Sequence, residues 1–175
     1  MEGKIFFGVI AKRLTSFTLN NGYIDTSIQK AGVPGFPGYI EHAQMIWNAI
    51  HSGAKQEKKE LHVVWLDLAN AYGSVPHDLI VKSLDFFWVP DKVIGLITQY
   101  FRMVYMRFTV GKVTTAWQPL EVGIMMGCVI SPLLFVMAME LILRGSRHVV
   151  PGVELMEGMA LPPMRAFMDD VTSRE

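Results

Sequence analysis

The segment AFMDDVT, residues 166–172, places two adjacent aspartates directly after a short apolar run. The run PMRAFM is typical of a β-strand, and Asp169 and Asp170 are predicted to form the turn that follows it. One interpretation of the pair is structural, because Asp-Asp is common in solvated turns. The other is a metal site, and that interpretation requires a third carboxylate from another part of the chain.

Asp67 is the candidate for the third carboxylate. It follows Val63–Leu66, a nearly continuous apolar run that predicts a strand covered on both faces. A carboxylate after a buried strand is unfavourable unless it is paired, bound to metal or exposed at the strand's end. If this strand lies beside the one before Asp169, all three carboxylates emerge at one edge of a sheet. The structural alternative is that Asp67 only caps the loop after its strand.

Three carboxylates at one sheet edge repel each other, and divalent cations relieve that repulsion. Hard oxygen ligands select Mg²⁺ or Mn²⁺. Two such ions about 3.5–4 Å apart can hold both the attacking and the leaving oxygen of a phosphoryl transfer. The carboxylates therefore indicate metal-assisted phosphoryl-transfer chemistry.

Local signals in the rest of the chain predict a mixture of helices and strands. Ser74 and Ser131 are expected to cap helices, with Pro132 in the first turn after Ser131, and Pro90 and Asp91 are expected to start another helix. Gly111 and Lys112 are typical of a two-residue hairpin turn. Gly145 is expected to end the last helix. The charged segment at residues 55–60 is expected to be a linker. The expected helices cover residues 39–52, 77–87, 92–101 and 131–144. These elements predict the α+β class, with an antiparallel sheet and helices packed on one face.

Composition favours a folded protein without a membrane span. The chain has 175 residues, of which 51% are hydrophobic and 18% charged, and this excludes a disordered chain. The longest apolar stretch, residues 129–143, is shorter than the ~20 residues that a span needs, and it contains Pro132 and Glu140. No signal peptide opens the sequence, so we expect an intracellular protein. The high mean hydropathy of +0.29 suggests a piece of a larger protein.

The counts of cysteine, histidine and charge exclude other classes of site. A single cysteine, Cys128, excludes an intramolecular disulfide and a cysteine-based zinc site. The five histidines show no metal-ligand spacing. A net charge of zero counts mildly against a nucleic-acid-binding protein, although a local groove can be basic in a neutral chain.

Four blocks of the sequence, taken in order, resemble the reverse transcriptases, most closely those encoded by non-LTR retrotransposons. LDLANAYGSVPHDLI resembles the first catalytic motif of that family, VGIMMGCVISPLLF the second, and AFMDDVT the third. Upstream, AKRL and QKAGVPGFPG together form the fourth block, which resembles the fingers segments that precede these motifs. The resemblance implies a right-hand polymerase fold, with a fingers-like segment at residues 1–60 and a palm-like segment at residues 61–175.

The resemblance also implies roles for the carboxylates. Asp67 and Asp169 would bind two catalytic Mg²⁺ or Mn²⁺ ions, with the main-chain carbonyl of Leu68 as a further ligand. Asp170 would assist these ligands. The reaction implied is the attack of a primer 3′-hydroxyl on the α-phosphate of a deoxynucleoside triphosphate, on an RNA or DNA template.

Other residues of the blocks would bind the nucleotide or the template and primer. Tyr72 would lie under the sugar of the incoming nucleotide, although an aromatic residue here is more commonly part of the core. Gly123 and Gly127 would allow the backbone to approach the template and primer closely. Met126 stands where these enzymes often carry Gln, near the nascent base pair.

Two further expectations follow from the resemblance. Lys12 or Arg13 would reach the template or the triphosphate; the alternative is that they belong to a solvated face. The family continues past the third motif into a thumb that is missing here, so we expect activity in a longer context with downstream domains. The competing hypothesis is a decayed or co-opted remnant that serves as a binding or interaction module. The missing thumb and Met126 favour the remnant, whereas the intact Asp67, Asp169 and Asp170 favour the enzyme.

Overall fold

A computed structural model of the protein describes residues 2–32, 39–51, 62–150, 153–156 and 159–174. Within these residues the helices are α1 (Glu2–Asn20), α2 (Tyr39–Ala49), α3 (Ala71–Ser74), α4 (His77–Phe86), α5 (Asp91–Met103) and α6 (Ser131–Arg147). The strands are β1 (Val63–Leu66), β2 (Tyr105–Met106), β3 (Thr109–Val110), β4 (Val113–Thr114), β5 (Gln118–Pro119), β6 (Val153–Met156), β7 (Met159–Leu161), β8 (Met164–Phe167) and β9 (Asp170–Arg174). The linker predicted at residues 55–60 lies outside the described residues.

The predicted α+β class is confirmed, because the helices accompany antiparallel strand pairs. The central sheet has three strands in the order β1-β9-β8. β8 and β9 form a hairpin in which Phe167 pairs with Asp170. β1 pairs antiparallel with β9, with Leu66 opposite Val171. The strand that carries Asp67 at its end therefore lies directly beside the hairpin that carries the two aspartates.

The prediction that β1 is covered on both faces was wrong. Val64, Trp65 and Leu66 are each at least half exposed, and Trp65 reaches 65%. Successive residues of a strand point to opposite faces, so three exposed residues in a row leave both faces of β1 open in this structure. β1 is also an edge strand of the sheet. An unbroken apolar run identified the strand but did not specify its position in the sheet.

Helix α6 forms the centre of the core. Every residue from Leu133 to Glu140 is buried, which is more than two helical turns without an exposed face. A helix that is apolar on all sides is stable only when neighbours surround it. α4 packs against α6 on one side and against α5 on the other.

The ends of α6 differ from the prediction. The residue at the N-cap is Ile130, and Ser131 is the first helical residue, so Ser131 does not act as the cap. Pro132 lies in the first turn as predicted, where its missing N–H leaves no hydrogen bond unmade. The helix continues through Gly145 to Arg147, so Gly145 does not close it.

Ser74 was also predicted to cap a helix, and that prediction was wrong. Its hydroxyl donates to the carbonyl oxygen of Asn70 at 2.7 Å, within the short helix α3. α4 begins at His77 with Pro76 at its N-cap and without a side-chain hydrogen bond there. α5 begins at Asp91, as Pro90 and Asp91 predicted.

The segment after α1 joins the central sheet at β8. Gln29 forms a parallel bridge with Ala166. The Lys30 N–H donates to the Ala166 carbonyl at 3.0 Å, and the Ala166 N–H donates to the Ile28 carbonyl at 3.0 Å. The first part of the chain is thereby tied to the hairpin of the aspartates. None of the helices in the residues described is both long and apolar enough to cross a membrane.

Candidate functional site

The end of the central sheet brings Asp67 and Asp170 together. The β1–β9 ladder ends at the pair Leu66–Val171, and the strands run antiparallel. The next residue of β1 is Asp67, and the preceding residue of β9 is Asp170, so both leave the ladder at the same end of the sheet. Both side chains are exposed there. Adjacent strands lie about 4.8 Å apart, so the two backbones are close enough for the carboxylates to approach one another.

The turn that carries Asp169 is shifted by one residue from the prediction. Phe167 pairs with Asp170, so Met168 and Asp169 are the two turn residues, and Asp170 already belongs to β9. Met168 has a φ of 58°. A positive φ at the first position is typical of the tight two-residue turns that match the twist of a hairpin. Asp169 therefore lies at the tip, and Asp170 lies beside β1.

Asp169 lies near Tyr72, which comes from the segment after β1. Burial raises the pKa of the Tyr72 hydroxyl above 10.0, and the nearby negative charge of Asp169 raises this pKa further. The Tyr72 ring stacks on Phe135 of α6, with the ring centroids 5.1 Å apart. The aromatic ring is thus half-buried against the core while its hydroxyl lies in the field of the carboxylate.

The glycine-rich turn before α6 crosses this same segment. The Ile124 N–H donates to the Tyr72 carbonyl at 2.8 Å, and the Gly123 N–H donates to the Val75 carbonyl at 2.9 Å. His77 donates from Nε2 to the Gly123 carbonyl at 2.7 Å. These hydrogen bonds join the first and second blocks of the sequence.

Gly123 has a structural reason to be glycine. Its φ is 87°, and a Cβ at this position would lie 2.7 Å from the carbonyl oxygen of Gly73. Only a residue without a side chain allows the two backbones to cross so closely. The close approach seen here is between two parts of this chain, and an additional approach to template and primer stays a prediction.

Met126 and Gly127 lie at the exposed tip of the same turn. Met126 is 81% exposed. Gly127 has a φ of 87°, and a Cβ there would meet open space. Both residues border a cavity of about 440 Å³ that Lys4 and Tyr105 also line. These two residues are therefore accessible to a ligand, as a nucleotide-binding role requires.

A residue that sequence reasoning missed, Gln29, holds the aspartate hairpin in place. Its side chain is fully buried. Its Oε1 accepts hydrogen bonds from the N–H groups of Met168 and Ala31, each at 3.1 Å. Its Nε2 donates to the Met168 carbonyl at 3.5 Å. Gln29 stands in a segment rich in glycine and proline, and no local pattern marks a glutamine there as buried.

Lys12 and Arg13 are exposed on α1. Arg13 borders a small cavity between α1 and the start of α5, together with Val89 and Pro90. Neither basic side chain is joined to the carboxylates by a hydrogen bond or an ion pair within the described residues. Leu68 is 40% exposed, directly after Asp67. A role for any of these three residues toward substrate stays a prediction.

The donor atoms at the sheet end suit a hard cation, although the side chains do not form a finished site. Across the part of the chain that the structure describes, no three histidine, cysteine, aspartate or glutamate side chains lie close enough to hold a metal ion. The backbone brings Asp67 and Asp170 to one end of the sheet, and both are exposed and free to change rotamer. Carboxylate oxygens are the ligands that Mg²⁺ and Mn²⁺ prefer.

Comparison with known protein families gives a match over almost the whole chain. The family described as reverse transcriptase (RNA-dependent DNA polymerase) matches residues 2–173. The match includes β1, the glycine-rich turn and the β8–β9 hairpin, which together build the candidate site. Proteins of this family copy a nucleic-acid template into DNA from deoxynucleoside triphosphates.

Proposed function

Because this chain belongs to the reverse transcriptase family of RNA-directed DNA polymerases, we propose that its sheet end is a polymerase active site that works with two divalent cations. A primer 3′-hydroxyl attacks the α-phosphate of a bound deoxynucleoside triphosphate, the bond between the α- and β-phosphates breaks, and pyrophosphate leaves. The likeness to the enzymes of non-LTR retrotransposons is part of this proposal.

The register of β1 against β9 is the observation that carries the proposal. It brings a carboxylate from residue 67 and another from residue 170 to one end of the sheet, although about a hundred residues separate them in the sequence. The hairpin adds Asp169 at its tip. Acids from distant segments at one exposed edge are unfavourable unless a counter-charge is supplied there.

In the proposed site Asp67 and Asp169 are the principal metal ligands. The main-chain carbonyl of Leu68 is a further ligand, and Asp170 assists from the strand beside Asp67. Bound Mg²⁺ or Mn²⁺ ions supply positive charge that neutralises the phosphate oxygens. The protein's own contribution is to fix the spacing of the acids through the sheet, because backbone pairing is more rigid than a loop.

Tyr72 and the glycine-rich turn form the nucleotide-binding part of the proposal. The Tyr72 ring is held by its stacking on Phe135, so it presents a fixed surface below the sugar of the incoming nucleotide. A fixed ring excludes a 2′-hydroxyl by steric contact, which favours deoxynucleotides. Met126 and Gly127 are proposed to contact the nascent base pair from their exposed turn.

Primer extension with the Asp169→Asn variant tests the proposed function. The assay measures extension of a DNA primer on an RNA template, using this chain and, in parallel, the longest natural reading frame that contains it. The wild-type protein is expected to need Mg²⁺ or Mn²⁺. Replacing a residue that hydrogen-bonds to a metal ligand costs up to roughly 100-fold in activity. Asp169→Asn changes a proposed ligand itself, so its extension rate is expected to fall by more than that, while its melting temperature stays unchanged.

Asp85→Asn is the matched control, because Asp85 is an exposed acid on α4 away from the sheet end. It is expected to retain wild-type extension. Extension by Asp169→Asn at the wild-type rate would refute the role of Asp169. If neither this chain nor the longer reading frame extends the primer, but both bind nucleic acid, the binding-module hypothesis is favoured.

A further inference from the structure

Strands β2 to β5 form a single projecting hairpin, residues 104–120, which we name the hairpin arm. Tyr105 pairs with Pro119 near its base, and Val110 pairs with Val113 beside the turn. Between these pairs, the Thr115 N–H donates to the Phe108 carbonyl at 2.9 Å. The paired ribbon therefore runs from the end of α5 to the segment before the glycine-rich turn.

The hairpin arm has a charge that differs from that of the whole chain. It contains no aspartate or glutamate, and it carries Arg107 and Lys112. The whole chain has a net charge of zero. Positive charge on a segment that carries no acid of its own produces a local potential that attracts a polyanion.

Aromatic side chains of the hairpin arm are exposed. Tyr105, Phe108 and Trp117 are each more than half exposed. The guanidinium of Arg107 lies over the Trp117 ring, 4.7 Å from its centroid. Large exposed aromatic residues beside a cation are the chemistry on which unpaired bases stack.

Three of these side chains share one face of the ribbon. Tyr105 lies in β2, and Arg107 follows the end of β2 directly. Residues two apart in an extended segment point to the same face, which places Arg107 on the side of Tyr105. On the other strand Gln118 pairs with Met106, so its neighbour Trp117 points to the Tyr105–Arg107 face. The contact between Arg107 and Trp117 agrees with this placement. The face thus presents two rings and a planar cation.

The face is continuous with the exposed tip of the glycine-rich turn. Tyr105 lines the cavity of about 440 Å³ that Met126 and Gly127 also border. Lys4 lies on the wall of the same cavity and adds a further positive charge. A strand that passes the exposed Gly127 turn can therefore continue along Tyr105 onto the rest of the face.

We propose that the hairpin arm binds single-stranded nucleic acid, with unpaired bases stacked on Trp117 and Tyr105 and the backbone beside Arg107 and Lys112. The strand bound there is the unpaired template next to the active site, so this inference rests on the proposed polymerase function. Stacking on rings does not depend on base identity, so the arm holds the template without selecting its sequence.

Oligonucleotide binding by variants of the arm tests this proposal. The probe is a fluorescein-labelled polyuridine RNA of about 16 nucleotides, within the range of known single-strand site sizes, and the readout is fluorescence anisotropy over a series of salt concentrations. Trp117→Ala is expected to weaken binding at least fivefold, because a stacked base is lost. Val110→Ala is the matched control at the exposed end of the arm and is expected to bind as the wild type does.

The salt dependence separates stacking from charge. Arg107→Ala removes a cation, so the slope of the logarithm of affinity against the logarithm of salt concentration is expected to fall by about 0.7. Trp117→Ala is expected to leave that slope unchanged while it weakens binding at every salt concentration. If the two substitutions only disrupted the structure of the arm, they would not differ in their effects on affinity and on the salt slope.

Asp169→Asn distinguishes this proposal from the polymerase proposal. The variant is expected to bind the RNA as tightly as the wild type, because the arm does not use the carboxylate. If wild-type protein binds and the arm variants do not, the arm is a nucleic-acid site even where extension fails. Equal RNA binding by Trp117→Ala, Arg107→Ala and the wild type would overturn the proposal. It would also be overturned if sedimentation showed that the arm variants change self-association of the protein and nothing else.

Discussion

At the scale of single residues, the buried amide of Gln29 shows how the aspartate hairpin is held. Three of its possible hydrogen bonds go to the main chain of Met168 and Ala31. Met168 is the first turn residue and carries a positive φ, so its peptide groups do not belong to the regular ladder. Backbone groups removed from water are costly when they are unpaired, and Gln29 pairs the partly buried N–H and carbonyl groups of Met168 as well as the buried N–H of Ala31.

Gln29→Leu is expected to lower the free energy of unfolding by about 1–3 kcal/mol, because it leaves buried backbone groups without partners. Urea denaturation measures the change. Gln99→Leu on the exposed face of α5 is the control, with an expected change below about 0.5 kcal/mol. An equally small change for Gln29→Leu would show that the turn does not depend on this amide.

At the scale of secondary-structure elements, the glycine-rich turn and the segment after β1 are built around one backbone crossing. Gly123 and Gly127 have the same φ of 87°. Only Gly123 has another backbone against it, namely that of Gly73. Comparing alanine substitutions at the two glycines therefore distinguishes the cost of backbone strain from the cost of steric overlap.

Gly127→Ala is expected to cost about 1–2 kcal/mol of stability, the strain of a positive φ for alanine. Gly123→Ala is expected to cost more than Gly127→Ala, because its Cβ must also displace the Gly73 backbone. Urea denaturation of both variants measures the difference. Equal costs for the two would mean that the crossing adjusts without strain.

The positions of helix starts and turns could be predicted from neighbouring residues in the sequence. The burial of the resulting helices and strands could not. Pro90 and Asp91 identified the start of α5, and Gly111 identified the hairpin turn, because both depend on neighbouring residues alone. The exposure of Trp65 depends on which strand forms the edge of the sheet, and the sequence of β1 does not contain that information.

The same limit applies to the candidate site. The order of the three blocks predicted that Asp67 would lie near Asp169 and Asp170, and the β1–β9 register joins those segments. The role of Gln29 depends on a contact across 139 residues, and no local pattern encodes it.

At the scale of the whole molecule, the core is built on α6, and this helix contains a buried acid. Glu140 is 1% exposed, and its Oε1 accepts a hydrogen bond from Arg144 at 3.0 Å. Burial raises the pKa of Glu140 above its ordinary value of 4.5, and the charge of Arg144 only partly opposes this rise. The folded protein therefore holds the Glu140 proton more tightly than the unfolded chain does.

A raised pKa in the folded state gives a definite sign to the pH dependence. Glu140 contributes stability that is fully present below pH 4.5 and is lost as the pH rises through its raised pKa. Glu140→Gln is expected to remove this decrease, which urea denaturation over a pH series measures. A variant with the same decrease as the wild type would contradict the assignment to Glu140.

Asp67 and the Asp169 turn, about a hundred residues apart in the sequence, are proposed to form one cation site. Iron-directed cleavage tests this site: Fe²⁺ replaces Mg²⁺, and with ascorbate and peroxide it generates hydroxyl radicals that cut the backbone beside the bound ion. The predicted result is cleavage beside Asp67 and beside the Asp169 turn, with both sets lost in Asp169→Asn and suppressed by excess Mg²⁺. Cleavage beside only one of the two segments, or cleavage that persists in Asp169→Asn, would contradict the account.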